Sequence, residues 1–355
     1  MDGLVEQGIL QEPGMQRTGV RKGIGLVLVG GGGRGAYHIG VWKALEYSGL
    51  KQYVSSVSGT SVGGLNAALF LQGDLEKAQH IWENISRDDI LTPHNGHGRD
   101  SGHANYGMGL FSRSGLRKII KENLDMDVFD TSEMECYMTG SRIGGKKDME
   151  SYTEMFTCPD GMKRYKKYVD GKATYFNLRG FSWEEREKIL LATSAMPVIF
   201  PAQKIGTREY IDGGIADNVP VEPLYVLEKC KIIVIVHITT NDGNRNYTEK
   251  FPGAKILQIR PQNEQGEFFT GILDFTAEGA KRRIGEGYND NIEMFLNIKK
   301  EIDKEKEFNE HIQDELQNVK EIGLEVRNGA WGMAEMMNRL EKNGHGGSIK
   351  DVRIR

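Results

Sequence analysis

Apolar positions in the first part of the chain change period repeatedly. Residues 24–30, IGLVLVG, form a continuous β-branched run of the kind buried on both faces in a parallel sheet. In AYHIGVWKALEYSGL at 36–50, Ile39, Trp42, Ala44 and Leu45 fall at helical spacing and Gly49 closes the helix. YVSSVSG at 53–59 predicts the next strand. SVGGLNAALFLQG at 61–73 predicts the next helix, small in its first turn and apolar afterwards. This strand–turn–helix alternation is the grammar of a parallel sheet covered by helices.

The pattern weakens at 86–110, which is polar, glycine-rich and aperiodic, and again at 146–172. Between and after these excursions it resumes. Helices are expected at 114–124 and 182–195, the second opening on a Ser182/Glu185 capping box. Strands are expected at 135–143, 173–178, 231–239 and 254–261. REYIDGGIADNVP at 208–220 reads as strand then turn, followed by a short helix in VEPLYVLEK. A long helix is expected at 274–296. Beyond 300 the chain is rich in Glu and Lys, with Ile302, Phe308, Ile312, Leu316 and Val319 near helical spacing. The expected organisation is a flexible leader at 1–21, an α/β domain at 22–298 and a charged helical extension at 299–355.

Composition narrows the function classes. The 355 residues are 38% hydrophobic and 27% charged, with a net charge of −4 that argues against nucleic acid as the partner. Cys136, Cys158 and Cys230 offer neither a disulfide framework nor metal-ligand spacing. No signal-peptide core and no run of 18 apolar residues is present, so a cytoplasmic protein is expected, with any membrane contact peripheral. The 45 glycines stand well above the usual share of about 7% and fall in clusters, as functional turns do.

Two of those clusters carry candidate chemistry. GTSVG at 59–63 places Ser61 between Gly59 and Gly63, the spacing of a nucleophile elbow, although an ordinary glycine-rich turn has the same letters. GGGGRG at 30–35 follows a strand and opens a helix, where backbone N–H groups favour negative charge. As a dinucleotide fingerprint (Gly30, Gly32, Gly35) it lacks the acidic residue expected about 20 positions on, and as a phosphate loop it lacks the lysine. As an oxyanion hole, Gly31, Gly32 and Gly33 would present donors to a developing negative charge. Arg34 would then either add charge or fix the loop through a carboxylate.

A serine nucleophile needs a base. His94, His97 and His103 lie in the polar stretch without a ligand set around them, so no metal is expected. His38 reads as structural, His80 lies on a polar helix face, and His311 and His345 fall in the charged tail. His237 offers the order Ser61…Asp212…His237 but sits in an unbroken apolar strand, where a core histidine is expected. Asp212 ends a strand and is followed by Gly213 and Gly214, leaving open space and nearby donors; the same Asp-Gly pair also suits an Asx turn. On spacing, Asp212 stands only slightly above Asp217.

Taken in order, GGGGRG, GTSVG and DGG at 212–214 resemble the oxyanion loop, nucleophile and base of the patatin-like phospholipase family. LATSAMPVIFPAQKIGTREYIDGGIADNVPVEPL and GLFSRSGLRKIIKENL at 109–124 are similar to further stretches of that family, and the resemblance covers roughly residues 24–296. It implies a three-layer α/β/α sandwich and a Ser61–Asp212 dyad with no catalytic histidine. It also implies an oxyanion held near Gly31–Gly33 and Arg34, and no cofactor. The implied reaction is hydrolysis of phospholipid or lysophospholipid esters through an acyl-enzyme. Alternatives are a thioesterase or carboxylesterase with the same dyad, or a lipid- or nucleotide-binding protein without turnover. The basic, tyrosine-interleaved KRYKKY at 163–168 suits either a lipid contact or a solvated loop. The Glu-rich tail suits docking on the domain, or self-association, better than lipid.

Overall fold

The computed structural model describes residues 9–10, 23–93, 111–143, 169–197, 199–241 and 245–343. His94, His97, His103, Cys158, the 163–168 segment and most of the expected leader lie outside them. The chain divides between Leu296 and Asn297 into two units.

The first unit is built on a nine-stranded sheet. Strand β1 (Ile9–Leu10) arises from within the expected leader, and β2 (Ile24–Leu28) runs into the glycines, which wind through a tight turn at Gly32–Gly35 into α1 (Ala36–Tyr47). Then come β3 (Val54–Thr60), α2 (Val62–Gln72), α3 (Leu75–Asn84) and α4 (Ser114–Asn123). The central part continues with β4 (Glu135–Ile143), β5 (Val169–Asn177), α5 (Trp183–Thr193), β6 (Gln203–Ile205) and β7 (Arg208–Asp212). It closes with α6 (Glu222–Val226), β8 (Ile232–Val236), α7 (Tyr247–Lys250), β9 (Lys255–Ile259) and α8 (Ala277–Asn289).

Spatially the strands lie in the order β1-β5-β4-β3-β2-β8-β9, and β7, itself paired with β6, adds to β4. The β4–β3–β2–β8–β9 pairings are all parallel, while β4 meets β5 and β7 antiparallel. Successive strand residues point to opposite faces. On one face Leu26, Leu28 and Val236 meet Ile39, Trp42 and Leu45 of α1 and Phe70 of α2 around a small internal cavity. On the other, Val27, Val29, Ile233 and Ile235 share a core with Val221, Leu224, Tyr247 and Phe251. Helices therefore cover both faces, the three-layer sandwich that the resemblance implies.

Three local expectations change. The second excursion ends earlier than expected, because β5 begins at Val169. The polar stretch from 86 opens with a capped single turn at Arg87–Ile90, and Thr92–Pro93 pairs with Phe111–Ser112, so its two ends are zipped together. The expected helix 274–296 is interrupted after Asn289: the side-chain amide of Asn291 donates to Gly287 O, taking the carbonyl that the helical backbone would have used. Helix α9 (Ile292–Asn343) starts beyond that break, and its residues from 297 on make up the described part of the second unit. Among the described residues no helix is long and apolar enough to cross a membrane.

Candidate active site

The end of β3 and the end of β7 meet beside β4. Thr60 pairs with Thr139, and Asp212 pairs with the next residue, Gly140. One parallel and one antiparallel neighbour thus occupy the same edge of β4 in succession, so that Ser61, just after β3, faces Asp212, the last residue of β7. Ser61 Oγ donates to Asp212 Oδ2 at 2.6 Å, and both residues are buried, at 9% and 6% exposure.

Ser61 stands between β3 and α2 with φ 55° and ψ −128°, a backbone conformation that a residue with a side chain rarely adopts. What holds it is close backbone packing on both sides. A Cβ on Gly59 would lie 2.2 Å from Gly63 O, and one on Gly63 would lie 2.1 Å from Leu28 O. The two glycines that frame the serine are therefore needed for contact with each other and with β2. The Ser61 amide donates to Thr193 Oγ1 at 3.0 Å.

Asp212 is fixed from four directions. Its amide donates to Ala195 O at 2.9 Å, and its carbonyl accepts from Ser141 Oγ at 2.8 Å. Oδ1 accepts from the Gly214 amide at 2.8 Å, leaving Oδ2 for Ser61. The Asx-turn reading and the base reading are both met, and the turn is what aims the second oxygen. Burial pushes the Asp212 carboxyl up to about 6, against the downward pull of the Ser61 and Gly214 hydrogen bonds and the Arg113 charge.

Thr193 and Ala195 flank the end of α5, and a buried arginine closes that end. Arg113 donates through Nη1 to Ser194 O at 3.0 Å and through Nη2 to Leu191 O and to Ser194 Oγ, the last at 2.8 Å. Its guanidinium also lies over the Phe200 ring, 4.3 Å from the centroid. A cation at a helix C-terminus meets the negative end of the dipole. Burial lowers its proton affinity and the Asp212 carboxylate raises it; an arginine stays charged at neutral pH.

The glycine run reaches the same place from β2. Leu28 pairs with Gly59, and a Cβ on Gly30 would lie 3.1 Å from Ser61 Cβ. The first amides of a helix have no intrahelical acceptor. The turn at Gly32–Gly35 begins from Gly31, and no side chain caps it there. Arg34 turns to a backbone carbonyl and not to a carboxylate: its Nη2 donates to Gly266 O at 2.5 Å. Asn218 Nδ2 donates to Gly30 O at 3.2 Å, tying the segment after Asp212 to the glycine run.

The rivals are placed elsewhere. Asp217 accepts from Tyr175 OH at 2.7 Å and from the Val219 amide at 3.0 Å, so its carboxylate is committed to the turn. His237 follows β8, is fully buried and meets Gln258 Oε1 through Nε2 at 3.1 Å. His38 is buried beside Asn66, and burial pushes its imidazole down to about 3. Sequence reasoning missed Arg113, Thr193, Ala195 and Ser141. The last three act through one hydroxyl or one carbonyl, which leave no spacing signal, and the burial of Arg113 is not written in its polar surroundings.

A family model described as patatin-like phospholipase matches residues 26–225. The chain is similar to Lysophospholipase NTE1 of Yarrowia lipolytica, 51% identical over 247 residues, which is 67% of this chain and 14% of that protein. It is also similar to Neuropathy target esterase sws of Drosophila melanogaster, 42% identical over 74 residues, 19% of this chain and 5% of that protein. The chain thus spans only a small part of the curated relatives it matches. Among solved structures, VipD from Legionella pneumophila is similar with a TM-score of 0.45 and 13% identity, over 79% of this chain and 67% of that one.

Proposed function

The chain belongs to the patatin-like phospholipase family, and from that premise we propose that it is a serine acyl hydrolase cleaving phospholipid or lysophospholipid esters. The observation that carries this is the buried 2.6 Å hydrogen bond from Ser61 Oγ to Asp212 Oδ2, with the glycine run packed beside Ser61. Ser61 Oγ attacks the acyl carbon while its proton passes to Asp212 Oδ2. The carbonyl oxygen becomes an oxyanion, met by the N–H groups of Gly31–Gly33 in the tight turn that leads into α1. Collapse of the tetrahedral species breaks the ester bond, and the leaving alkoxide takes the proton from Asp212. Water then attacks the acyl-enzyme, giving its proton to Asp212, and the fatty acid leaves as Ser61 Oγ is reprotonated. No step needs a cofactor. Arg34 acts by bracing the loop and lending it positive potential.

A buried carboxyl raised toward 6 suits this part better than a free aspartate, because proton affinity nearer the working pH favours general base action. The protein is read as cytoplasmic, working on a membrane surface from outside the bilayer. The extension is read as a self-association helix. Ile312, Leu316, Val319, Val326, Met333 and Met337 are exposed along α9 at steps that fit alternating fours and threes, with Gly323 and Ala330 filling the gaps, the spacing of a coiled-coil seam.

The test is release of fatty acid from lysophosphatidylcholine micelles by wild type and by Ser61→Ala, with a short acyl ester and its thioester alongside. Preference for the micellar lipid, lost with Ser61, supports the reading. Equal or better turnover of the thioester or the soluble ester turns it to the thioesterase or carboxylesterase alternative.

A further inference from the structure

Residues 265–274 form a turn that rests directly on the glycine run. A Cβ on Gly32 would lie 2.1 Å from Ile272 O, and one on Gly33 would lie 2.2 Å from Asp274 O. Gly32 has φ +61°, so glycine is needed there on conformational grounds as well. From the other side, Arg34 Nη2 donates to Gly266 O. The candidate oxyanion loop and this turn are therefore in backbone contact at Gly32 and Gly33, and the Arg34 side chain adds a third tie.

The turn is also braced from beneath. The Arg283 side chain is fully buried and donates through Nη2 to Gln265 O at 3.2 Å, Thr270 O at 2.9 Å and Asp274 Oδ2 at 2.8 Å. Within the turn, Ile272 N donates to Glu267 O and Leu273 N to Phe268 O, the wide i→i+5 pattern that is frequent at functional sites. The Glu267 amide donates to Thr270 Oγ1 at 3.0 Å. At its outer edge, this rigid frame holds two adjacent aromatic rings in the open. Phe268 is 39% exposed and Phe269 70%, with their rings edge to face at 5.2 Å between centroids.

We propose that Phe268 and Phe269 are a lipid-surface contact that seats the candidate catalytic edge of the sheet on a zwitterionic membrane or micelle. This rests on the acyl-hydrolase reading, which places the substrate in such a surface. Aromatic side chains partition into the headgroup region, and exposed rings gain from leaving water there. The flanking residues choose the kind of surface: Glu264 and Glu267 are acidic and exposed, which disfavours an anionic lipid layer and suits one whose outermost charge is choline. Because the turn is in backbone contact with Gly32 and Gly33, a surface that receives the rings lies within a few residues of the proposed oxyanion donors. The rings need not move for this, since Arg283 already holds the turn in place.

The test uses phosphatidylcholine vesicles and a water-soluble short-chain ester, with wild type, Phe268→Ser/Phe269→Ser, Phe269→Trp and Ser61→Ala. Thermal melting checks that each variant is folded. The double variant is expected to lose at least tenfold in vesicle binding by flotation and in vesicle hydrolysis, with soluble-ester kcat/KM within twofold of wild type. Phe269→Trp is expected to retain both. Ser61→Ala is expected to bind vesicles as wild type does without hydrolysing them. Vesicle binding unchanged in a folded double variant overturns the proposal, and so does a wild type that does not bind vesicles. A lipid-free dimer that dissociates in the double variant also overturns it, since the rings would then serve a second copy. Ring-dependent binding without hydrolysis of any ester would leave the contact standing and remove the hydrolase reading instead.

Discussion

Ser61 and Asp212 lie 151 positions apart, yet Ser61 Oγ donates to Asp212 Oδ2 at 2.6 Å because Ser61 directly follows β3, Asp212 ends β7, and both strands abut on β4. Neither side chain is held by its own loop alone. Ser61 hangs from Thr193 and Asp212 from Ala195, so the end of α5 is the common support of both.

That support gives the first prediction. Thr193→Val keeps the shape of the side chain but leaves the buried Ser61 amide without its acceptor. Ester kcat is expected to fall by roughly 10- to 100-fold with KM little changed, because a misplacement of about 1 Å is costly to a positioned nucleophile. Thr193→Ser is expected to restore most of the rate. Steady-state kinetics on a soluble ester check it.

The second concerns pH. Asp212 must be ionised to accept the Ser61 proton, and its carboxyl lies at about 6, raised chiefly by burial. The rate is therefore expected to fall as pH drops through about 6, well above the usual aspartate range near 3.9. Stability runs the opposite way. The folded state holds this proton more tightly than the unfolded chain, so the contribution of Asp212 to stability declines as pH rises from about 4 to about 6. The acid limb of kcat/KM against pH checks the first statement, and denaturant midpoints across the same window check the second.

Arg113 lowers the Asp212 carboxyl through its charge. In Arg113→Gln the acid limb is expected to move to higher pH while Ser61 is still acylated. A purely structural role would lower the rate evenly at every pH, so the position of the limb is the discriminating measurement.

How far the sequence carried this arrangement depended on how local each cause is. The strands β2, β3 and β4 and the helices between them announce themselves by apolar runs, helical spacing and glycine stops. The Ser182/Glu185 capping box is also local, and it forms as expected. β1 and β6 are too short to carry a period. The break between α8 and α9 was hidden because apolar spacing continues across it, while one asparagine side chain interrupts the backbone pattern. Asp212 and Asp217 nearly tied on spacing and both accept from the amide two residues on, and only tertiary contacts separate them: Tyr175 occupies Asp217, whereas the pairing of Asp212 with Gly140 carries it to Ser61. Antiparallel pairing of β7 with β4 is a property of the sheet, and no residue near either partner encodes it alone.

The glycines that frame the serine give a stability prediction. Gly63→Ala would put a Cβ 2.1 Å from Leu28 O, against a backbone atom that cannot swing aside. A loss of about 4 kcal/mol or more, or failure to fold, is expected, as for other severe backbone clashes. A thermal melt of this variant beside Ser61→Ala checks it, because Ser61→Ala is expected to stay within about 1–2 kcal/mol of wild type.

The exposed seam of α9 predicts self-association. Leu316→Glu with Val326→Glu is expected to convert an associated form to monomer in sedimentation equilibrium, while soluble-ester turnover by the first unit is retained. A wild type that is monomeric at all concentrations would contradict the self-association reading.

The most direct test of the central claim is labelling by a fluorophosphonate probe, read by intact mass, in wild type, Ser61→Ala, Asp212→Asn and His237→Ala. The account predicts one adduct on wild type and on folded His237→Ala, none on Ser61→Ala, and slow labelling of Asp212→Asn. An adduct that survives Ser61→Ala, or labelling that depends on His237 and not on Asp212, would contradict it.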